Sequence, residues 1–304
     1  MKIKEFNMKD EGYKSINIRR HGLLAYKRYK QWWYFEGLDP TQKIYYVFLA
    51  LKGFPKSYIS IKIIDYNKGK RWTEDYLTKF QAKSGNKVDI LAKGKWGFMK
   101  FLGKAEDYWK IEVKTKDIEG EFLQHPLVPI HRNRLYTKHI NYFITQFINN
   151  EMKGTLIIGN NKIQVDGYGY CEHNWGVQPG HSTTHWLHFW SPTTIGIVMD
   201  CRYDEGIAHN YNYFWNKERG FYLPSPSNFH YDPAKPMEEF LIQSPNLEIK
   251  VIPIYSHFTR KKIWPFLNID YQELLLYVKG WIFYRGEEIK IDGIGKMDHN
   301  FNKW

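Results

Sequence analysis

The sequence predicts an all-β protein built from two tandem copies of one closed-sheet unit, and three observations support this fold class. Phe, Trp and Tyr make up 18% of the 304 residues, and aromatic and β-branched residues favour pleated sheets. Short runs of alternating polar and apolar residues, typical of half-buried strands, dominate the chain. One long phrase also occurs twice. Closing each sheet on itself would remove its edges and enclose a pocket.

The repeat aligns residues 152–175 with residues 278–301 without a gap, at an offset of 126 from Glu172 to Asp298. Eight of the 24 aligned positions are identical: Lys, Gly, Ile, Asp, Gly, Gly, His and Asn. Unrelated segments would share roughly one or two positions. The alignment therefore indicates an internal repeat of one large structural unit.

Each copy reads as a β-hairpin that ends in an acid–His–Asn triplet. KGTLIIG is predicted to be a strand, and residues 159–161 are predicted to form the turn after it, as residues 285–287 do in the second copy. The alternating run KIQVD predicts the next strand. Gly167 and Gly169 interrupt its continuation, which indicates a bulge or the close approach of another backbone.

The beginnings of the two units correspond less closely. QWWYFEG at 31–37 matches THWLHFWS at 184–191, with an offset of 153 from Trp33 to Trp186. This offset exceeds the later one of 126, so the first unit should carry about 27 additional residues. The irregular stretch 121–139 is predicted to be part of that insertion.

Two further features concern helices and domain limits. The best candidate helix is AKPMEEFL at 234–241. Gly, Pro and small polar residues cluster at 176–184 and predict a boundary there. We therefore expect two domains, at residues 1–178 and 179–304.

Composition excludes several functional classes. Lys and Arg exceed Asp and Glu by 44 to 32, but no block of five like charges occurs, so no nucleic-acid partner is predicted. Cys171 and Cys201 are the only cysteines, which is too few for a disulfide framework or a four-thiolate zinc site. The N-terminus lacks the apolar core of a secretion signal, and no run approaches 18 apolar residues. We therefore expect a cytoplasmic protein.

Three phrases resemble the carotenoid 1,2-hydratase (hydroxyneurosporene synthase) family and its AttH-like relatives: QWWYFEG, GYGYCEHNWG and HWLHFW. In that family an Asp-His-Asn-Trp-Gly phrase follows a Gly-Tyr strand, and a Trp-Trp-Tyr-Phe phrase opens the first domain. The resemblance implies two tandem lipocalin-like (calycin) β-barrel domains. It also implies hydration of a terminal isoprenoid double bond, with cyclisation or lipid binding in other relatives.

The resemblance implies a catalytic acid at Glu172, where the family has an Asp two residues after a Tyr that corresponds to Tyr170. The sequence departs from the family here, because Glu adds one methylene to the side chain and Cys171 stands where a His is common. Catalytic placement is sensitive at about the 1 Å level. The departure therefore bears on the specific reaction more than on the pocket.

Protonation of an isolated alkene needs a carboxylic acid kept protonated by burial and aromatic faces that stabilise the cation. Glu172 would be the acid, facing a ring-walled chamber enclosed by the first sheet. Tyr170 shares its strand face, while His173 and Asn174 could hold the acid or a water, although alternation aims His173 at the opposite face. No cofactor and no metal is required. The predicted substrate-binding residues are Trp32, Trp33, Tyr34, Trp175, Trp186 and His188.

The same residues allow other interpretations. In a purely structural role, the triplets would only satisfy backbone groups where a strand bends, and this applies most to residues 298–300. The protein could also be a non-catalytic carrier or sensor of a hydrophobic small molecule, with its net charge of +12 aiding peripheral contact with anionic membranes.

Three other candidate sites have less support in the sequence. His185 and His188 form an HxxH pair that lacks the neighbouring Glu of a metalloprotease helix, so zinc is not expected. Cys171 has only its proximity to a histidine to suggest a nucleophile. Asp200 could be an inward carboxylate or the partner of Arg202 in an ion pair.

Overall fold

The computed structural model describes the chain in ten segments, and its contacts divide it into two compact units, Met1–Gln178 and Pro179–Trp304. The described residues are 28–53, 57–85, 87–104, 106–136, 141–177, 181–203, 206, 208–217, 219–263 and 267–303. The N-terminal segment, in which no secretion signal is predicted, lies outside these ranges. So do residues 178–180 of the predicted boundary and residues 137–139 of the predicted insertion.

The first unit is a 12-stranded antiparallel sheet. Its strands are β1 (Tyr29–Asp39), β2 (Ile44–Lys52), β3 (Tyr58–Asp65), β4 (Lys70–Leu77), β5 (Phe80–Ala82), β6 (Lys87–Gly94), β7 (Gly97–Lys104), β8 (Tyr108–Lys114), β9 (Ile118–Pro126), β10 (His131–Tyr136), β11 (Asn141–Ile158) and β12 (Asn161–Val177). Their order in the sheet is β4-β3-β2-β1-β12-β11-β9-β8-β7-β6-β5, with β10 paired to β11. The chain ends of the unit, β1 and β12, are therefore neighbours.

The second unit is a nine-stranded antiparallel sheet. Its strands are β13 (His181–Trp190), β14 (Thr194–Tyr203), β15 (Ala208–Asn216), β16 (Arg219–Leu223), β17 (Asn228–Phe229), β18 (Phe240–Ser244), β19 (Leu247–Ile263), β20 (Leu267–Tyr284) and β21 (Glu287–Lys303). The order β16-β15-β14-β13-β21-β20-β19-β18-β17 places β13 beside β21, as β1 lies beside β12 in the first unit.

Each sheet curls so that strands far apart in the strand order come into contact. In the first unit Tyr76 of β4 stacks on Trp96 in the β6–β7 turn, with ring centroids 4.4 Å apart. In the second unit Phe221 of β16 stacks on Tyr284 of β20 at 4.0 Å. The concave face of each sheet holds a separate hydrophobic core. The predicted all-β fold of two tandem lipocalin-like units is confirmed, and within the described residues the regular elements are all strands.

The two copies of the repeated hairpin have the predicted form. Residues 159 and 160 connect β11 to β12, and Gly159 adopts a positive φ of 58°. The second copy turns through Arg285 and Gly286, whose φ angles are 52° and 84°. Positive φ at both central positions, as in the second copy, is typical of the tight turns that join antiparallel strands.

Strand register corrects the offset between the beginnings of the units. Tyr34 lies opposite Glu172, and Trp186 lies opposite Asp298. Since Glu172 and Asp298 are equivalent, Trp186 corresponds to Tyr34 and the offset is 152, so the value of 153 is wrong by one residue. The alignment matched Trp33 with Trp186 because both are tryptophans, but Trp33 corresponds to His185.

The predicted site of the insertion is also wrong. The stretch 121–139 is not an addition, because β9 and β10 both pair with β11 as the single long strand β19 pairs with β20. The first sheet instead has four strands beyond β9, where the second has two beyond β19. The additional residues therefore build two more strands of the first sheet.

The candidate helix at 234–241 does not form. Residues 234–238 form turns and bends, and Phe240 begins β18. Pro236 disfavours the α conformation of the residue before it, and a helix this short does not recover the cost of nucleation. The end of the segment instead begins strand β18, which pairs with β19.

Close backbone approach explains the glycines of the repeated phrase. A Cβ added at Gly167 would lie 2.2 Å from the Leu38 carbonyl oxygen, and one at Gly293 would lie 2.2 Å from that of Trp190. The irregularity of this hairpin lies on β11, between Phe147 and Asn150. Of the two readings offered by sequence, close approach is thus the correct one at Gly167.

Within the described residues, the structure contains no helix with the length and apolar character needed to cross a membrane.

Candidate functional site

Pairing of β1 with β12 brings the two quoted motifs of the first unit together. Tyr34 lies opposite Glu172, Trp32 opposite Asn174, and Glu36 opposite Tyr170. Directly opposed residues of antiparallel strands share a face of the sheet. The WWYFE and YCEHN phrases therefore contribute alternate side chains to one surface.

Glu172 is held at both carboxylate oxygens on this surface. The Trp32 indole Nε1 donates to Oε1 at 2.7 Å, and the Tyr170 hydroxyl donates to Oε2 at 2.6 Å. Tyr170 is completely buried, while Glu172 is half-buried. One hydrogen bond from the neighbouring strand β1 and one from the same strand β12 fix the orientation of the carboxyl group, which is what positioned proton transfer requires.

A chain of polar side chains continues from Tyr170 into the neighbouring strands. Gln146 of β11 donates its Nε2 to the Tyr170 hydroxyl at 2.9 Å, and its Oε1 lies 2.8 Å from Nδ1 of His131 on β10. All three side chains are buried. The carboxyl group of Glu172 is therefore linked through hydrogen bonds to an imidazole two strands away.

A second carboxylate lies on the same surface. Glu36 has no exposed surface, and the Tyr34 hydroxyl donates to its Oε2 at 2.7 Å. Sequence reasoning selected Tyr34 but missed Glu36, although the alternation of WWYFE places both on one face. It also missed Gln146 and His131, which no local pattern could identify because only the register of β10 and β11 brings them to the site.

The position of this surface corrects the predicted environment of Glu172. The apolar core enclosed by the first sheet contains Trp33, Phe35 and Cys171, which alternate with the residues of the Glu172 surface. Glu172 therefore lies on the face of the sheet opposite this core, and the expectation that it faces a chamber enclosed by the first sheet is wrong. The error arose because its strand is lined by buried side chains on both faces.

The histidine of the triplet lies on the core side, as strand alternation predicts. His173 has no exposed surface; its ring stacks on Trp33 at 4.9 Å and on Trp175 at 4.6 Å. Its Nε2 lies 2.7 Å from Nε2 of Gln31. Through these contacts, His173, Trp33 and Trp175 form part of the packed interior of the first unit.

Asn174 and Cys171 have specific hydrogen bonds of their own. The Asn174 Oδ1 accepts the backbone N–H of Thr145 at 3.3 Å. The Cys171 thiol donates to Oε1 of Gln124 at 3.0 Å, and burial, with smaller contributions from Glu36 and Glu172, raises its pKa well above the ordinary value. A thiol with a raised pKa is a poor nucleophile.

Trp186 and His188 belong to the second unit. They follow one another on one face of β13, with ring centroids 5.8 Å apart. His188 is fully buried. On this face they lie opposite Asp298 and Lys296 of β21, so the structure groups these two predicted substrate-binding residues with the second copy of the triplet.

His185 lies on the other face of β13 from His188, so the HxxH residues do not converge. Its ring stacks on Phe229 at 5.1 Å and lies 4.7 Å from the ring of His299. Burial lowers the pKa of His185 to about 4, with the neighbouring His299 as the next cause. In the described part of the chain, no group of three or more His, Cys, Asp or Glu side chains is arranged to hold a metal ion.

A cavity of about 200 Å³ borders His185 in the second unit. Asp200 lines it, and its buried carboxylate forms an ion pair with Arg202 at 3.0 Å, so both sequence readings of Asp200 apply. A cavity of about 230 Å³ in the first unit is formed by strands β7, β8, β9 and β11. Glu172 lines neither of these two cavities.

The fold is shared with solved structures of low sequence identity. A candidate AttH from Nitrosomonas europaea is 14% identical, with a TM-score of 0.59 over 94% of this chain and 97% of that one. Kievitone hydratase from Nectria haematococca is 12% identical, with a TM-score of 0.63 over 97% and 98%. CghA is 9% identical, with a TM-score of 0.63 over 90% and 88%. These similarities bear out the resemblance to AttH-like proteins.

Among curated proteins, no sequence matches the chain. A family profile does match, and it covers residues 7–304, which is almost the whole sequence. The chain therefore belongs to the family described as "Domain of unknown function (DUF2804)".

Proposed function

We propose that the protein is an enzyme that hydrates or cyclises a hydrophobic, unsaturated substrate by proton transfer at Glu172. The observation that carries this proposal is the two-point hold on the Glu172 carboxyl group by Trp32 and Tyr170. The similarity in fold to kievitone hydratase supports a hydratase, because that protein is named for such a reaction. We propose further that this substrate is an isoprenoid or a polyene.

The proposed chemistry needs only groups that the chain supplies. A proton from Glu172 forms a C–H bond at one alkene carbon, and water adds to the carbocation at the other. The added water then loses a proton, which returns to the Glu172 carboxylate, so the net reaction is addition of one water molecule. In a cyclisation a second double bond replaces water as the nucleophile, and the proton returns from carbon. No cofactor enters either sequence.

Aromatic side chains around Glu172 suit a cationic intermediate. The rings of Tyr34 and Tyr170 lie edge to face with centroids 6.1 Å apart. The ring centroids of Trp32 and Tyr142 are 5.5 Å apart. Ring faces stabilise a nearby cation by about 0.5–2 kcal/mol each. The net charge of +12 would favour collection of a hydrophobic substrate at an anionic membrane surface.

The test is turnover in D₂O with a panel of isoprenoid alkenes and polyenes, analysed by mass spectrometry. Hydration adds the mass of D₂O, and acid-initiated cyclisation places one deuterium on carbon. Glu172→Gln should lower product formation by about 10²–10⁴-fold, the usual contribution of a general acid. The control Glu151→Gln removes a surface partner of Lys153 and should leave turnover unchanged.

Two results would contradict the proposal. Unchanged turnover in Glu172→Gln would remove Glu172 from the mechanism. Recovery of a bound hydrophobic compound without any deuterium or added water would indicate that the protein is a carrier. Extraction and mass spectrometry of the purified protein after incubation in D₂O would reveal such a compound.

A further inference from the structure

The second unit repeats the Glu172 surface with different chemistry. Asp298 holds the register position of Glu172, and Lys296 holds that of Tyr170. On the adjoining strand, Glu273 lies opposite Asp298 as Gln146 lies opposite Glu172. Hydrogen-bonding neutral side chains in the first unit are therefore replaced by charged ones in the second.

These charged groups form a compact cluster. The Lys296 Nζ lies 3.0 Å from Oδ2 of Asp298 and 3.5 Å from Oε1 of Glu273. The Tyr271 hydroxyl donates to Oδ1 of Asp298 at 2.7 Å. The side chains of Lys296 and Glu273 are 1% and 0% exposed, while Asp298 keeps 14% of its surface. Asp298 is thus the member that a small molecule could reach.

Stability does not account for the cluster. Removing three charges from water costs several kcal/mol per ion, and apolar replacements of buried ion pairs are often equally or more stable. The same strands place Leu274 and Met297 on the other face, in the apolar core. Buried ionisable clusters of this kind concentrate where chemistry requires them.

The balance between one cation and two carboxylates in the cluster favours a bound proton on Asp298. Lys296 neutralises one carboxylate, and the second would leave an uncompensated buried negative charge. Burial raises the pKa of Asp298 from 3.8 to about 7, because Lys296 only partly offsets the loss of solvent and Glu273 adds to the effect. The polar and aromatic side chains that face Asp298 come from β13 (Trp186, His188), β20 (Tyr271, Glu273) and β21 (Lys296).

We propose that Asp298 is a second proton-transfer group, positioned by Lys296 and Glu273, which acts on an unsaturated hydrophobic substrate in the second unit. This inference rests on the proposed function, since it assumes the same substrate class. The Asp298 proton forms a C–H bond with an alkene carbon, water adds to the cation, and the proton lost by that water returns to Asp298. Trp186 supplies a ring face for the cation, and it already lies 5.5 Å from the Lys296 Nζ.

The experiment combines the D₂O assay with infrared titration of the carboxyl groups. Because the two sites would contribute separately to total turnover, Asp298→Asn is measured in the Glu172→Gln background, where it should lower the residual deuterium incorporation at least about tenfold, within the range of a general acid. The control Asp292→Asn changes an exposed carboxylate of the same strand and should have no effect. In the wild type a protonated-carboxyl band should disappear with a midpoint near pH 7, and this band should be missing from Asp298→Asn. Lys296→Met should move the midpoint to higher pH, because it removes the nearby cation.

The outcomes separate this inference from the proposed function. If Glu172→Gln leaves no turnover, or if Asp298→Asn leaves the residual turnover of Glu172→Gln unchanged, the proposed function holds and the inference is overturned. If only Asp298→Asn abolishes turnover, the inference holds and Glu172 loses its role. If the wild type converts none of the compounds, the proposed function fails. The infrared titration then tests the inference by itself, and a carboxyl band unchanged by Asp298→Asn overturns it.

Discussion

The Tyr170 hydroxyl lies 2.6 Å from Oε2 of Glu172, two residues away on the same strand, and donates its hydrogen to it. Side chains two apart on a strand share a face, so this contact follows directly from the Tyr-x-Glu spacing. What spacing alone does not supply is the third group, Gln146, which donates to Tyr170 from the next strand. The tyrosine oxygen is therefore fixed from two sides.

This relationship predicts the effect of Tyr170→Phe. The change removes the donor to Glu172 but keeps the ring in its buried position, so folding should be little affected. Turnover should fall by about 10–100-fold, the lower part of the range for a group assisting proton transfer, with the change mainly in kcat. Steady-state kinetics on a converted compound measures it. Tyr168→Phe, at an exposed tyrosine of the same strand, is the matched control, and equal losses in both variants would contradict the prediction.

Gly167→Ala should destabilise the first unit. Its new Cβ would lie 2.2 Å from the Leu38 carbonyl oxygen on β1, and the backbone cannot move aside without disturbing the β1–β12 pairing. Overpacking of this kind costs about 1–3 kcal/mol. Urea unfolding followed by tryptophan fluorescence should show a lower midpoint for this variant, whereas the exposed Gln164→Ala on the same strand should not shift it. A normal midpoint for Gly167→Ala would mean that strands β1 and β12 are further apart at this position.

Stability should fall in acid because of His185. Burial holds its folded-state pKa near 4, below the ordinary 6.5, so the unfolded chain binds a proton that the folded chain does not. The resulting stabilisation is complete above about pH 6.5 and is lost as the pH falls toward about 4. The urea midpoint of wild type should drop more steeply over this window than that of His185→Asn. His230→Asn, at an exposed histidine, should retain the wild-type slope; parallel curves for all three proteins would refute the assignment.

Asp298 should produce the opposite dependence. Its folded-state pKa lies near 7, above the ordinary 3.8, so the folded chain binds the additional proton. The associated stability is present below about pH 4 and is lost as the pH rises toward about 7. Relative to Asp298→Asn, the wild type should therefore lose urea resistance between these pH values. Asp292→Asn should behave as wild type, and a flat difference between wild type and Asp298→Asn would show that the carboxyl group titrates normally.

The sequence by itself determined the features that depend on neighbours along the chain. Alternation in KIQVD and the Gly159 turn specified a hairpin, because the strand period and the turn angles are local properties. The gapless repeat specified two equivalent units. The Tyr170-x-Glu172 spacing placed two functional groups on one face, and alternation placed His173 on the other.

Tertiary structure alone decided which side chains meet across strands and which face is enclosed. Pairing register brings Glu36, Gln146 and His131 to the Glu172 surface, and a strand carries no mark of its partner's register beyond its own pattern. That pattern was uninformative here, because β12 is buried on both faces around Glu172. The Lys296–Glu273–Asp298 cluster is likewise invisible in sequence, since Glu273 and Lys296 come from different strands and their charges alone would predict a solvent-exposed surface.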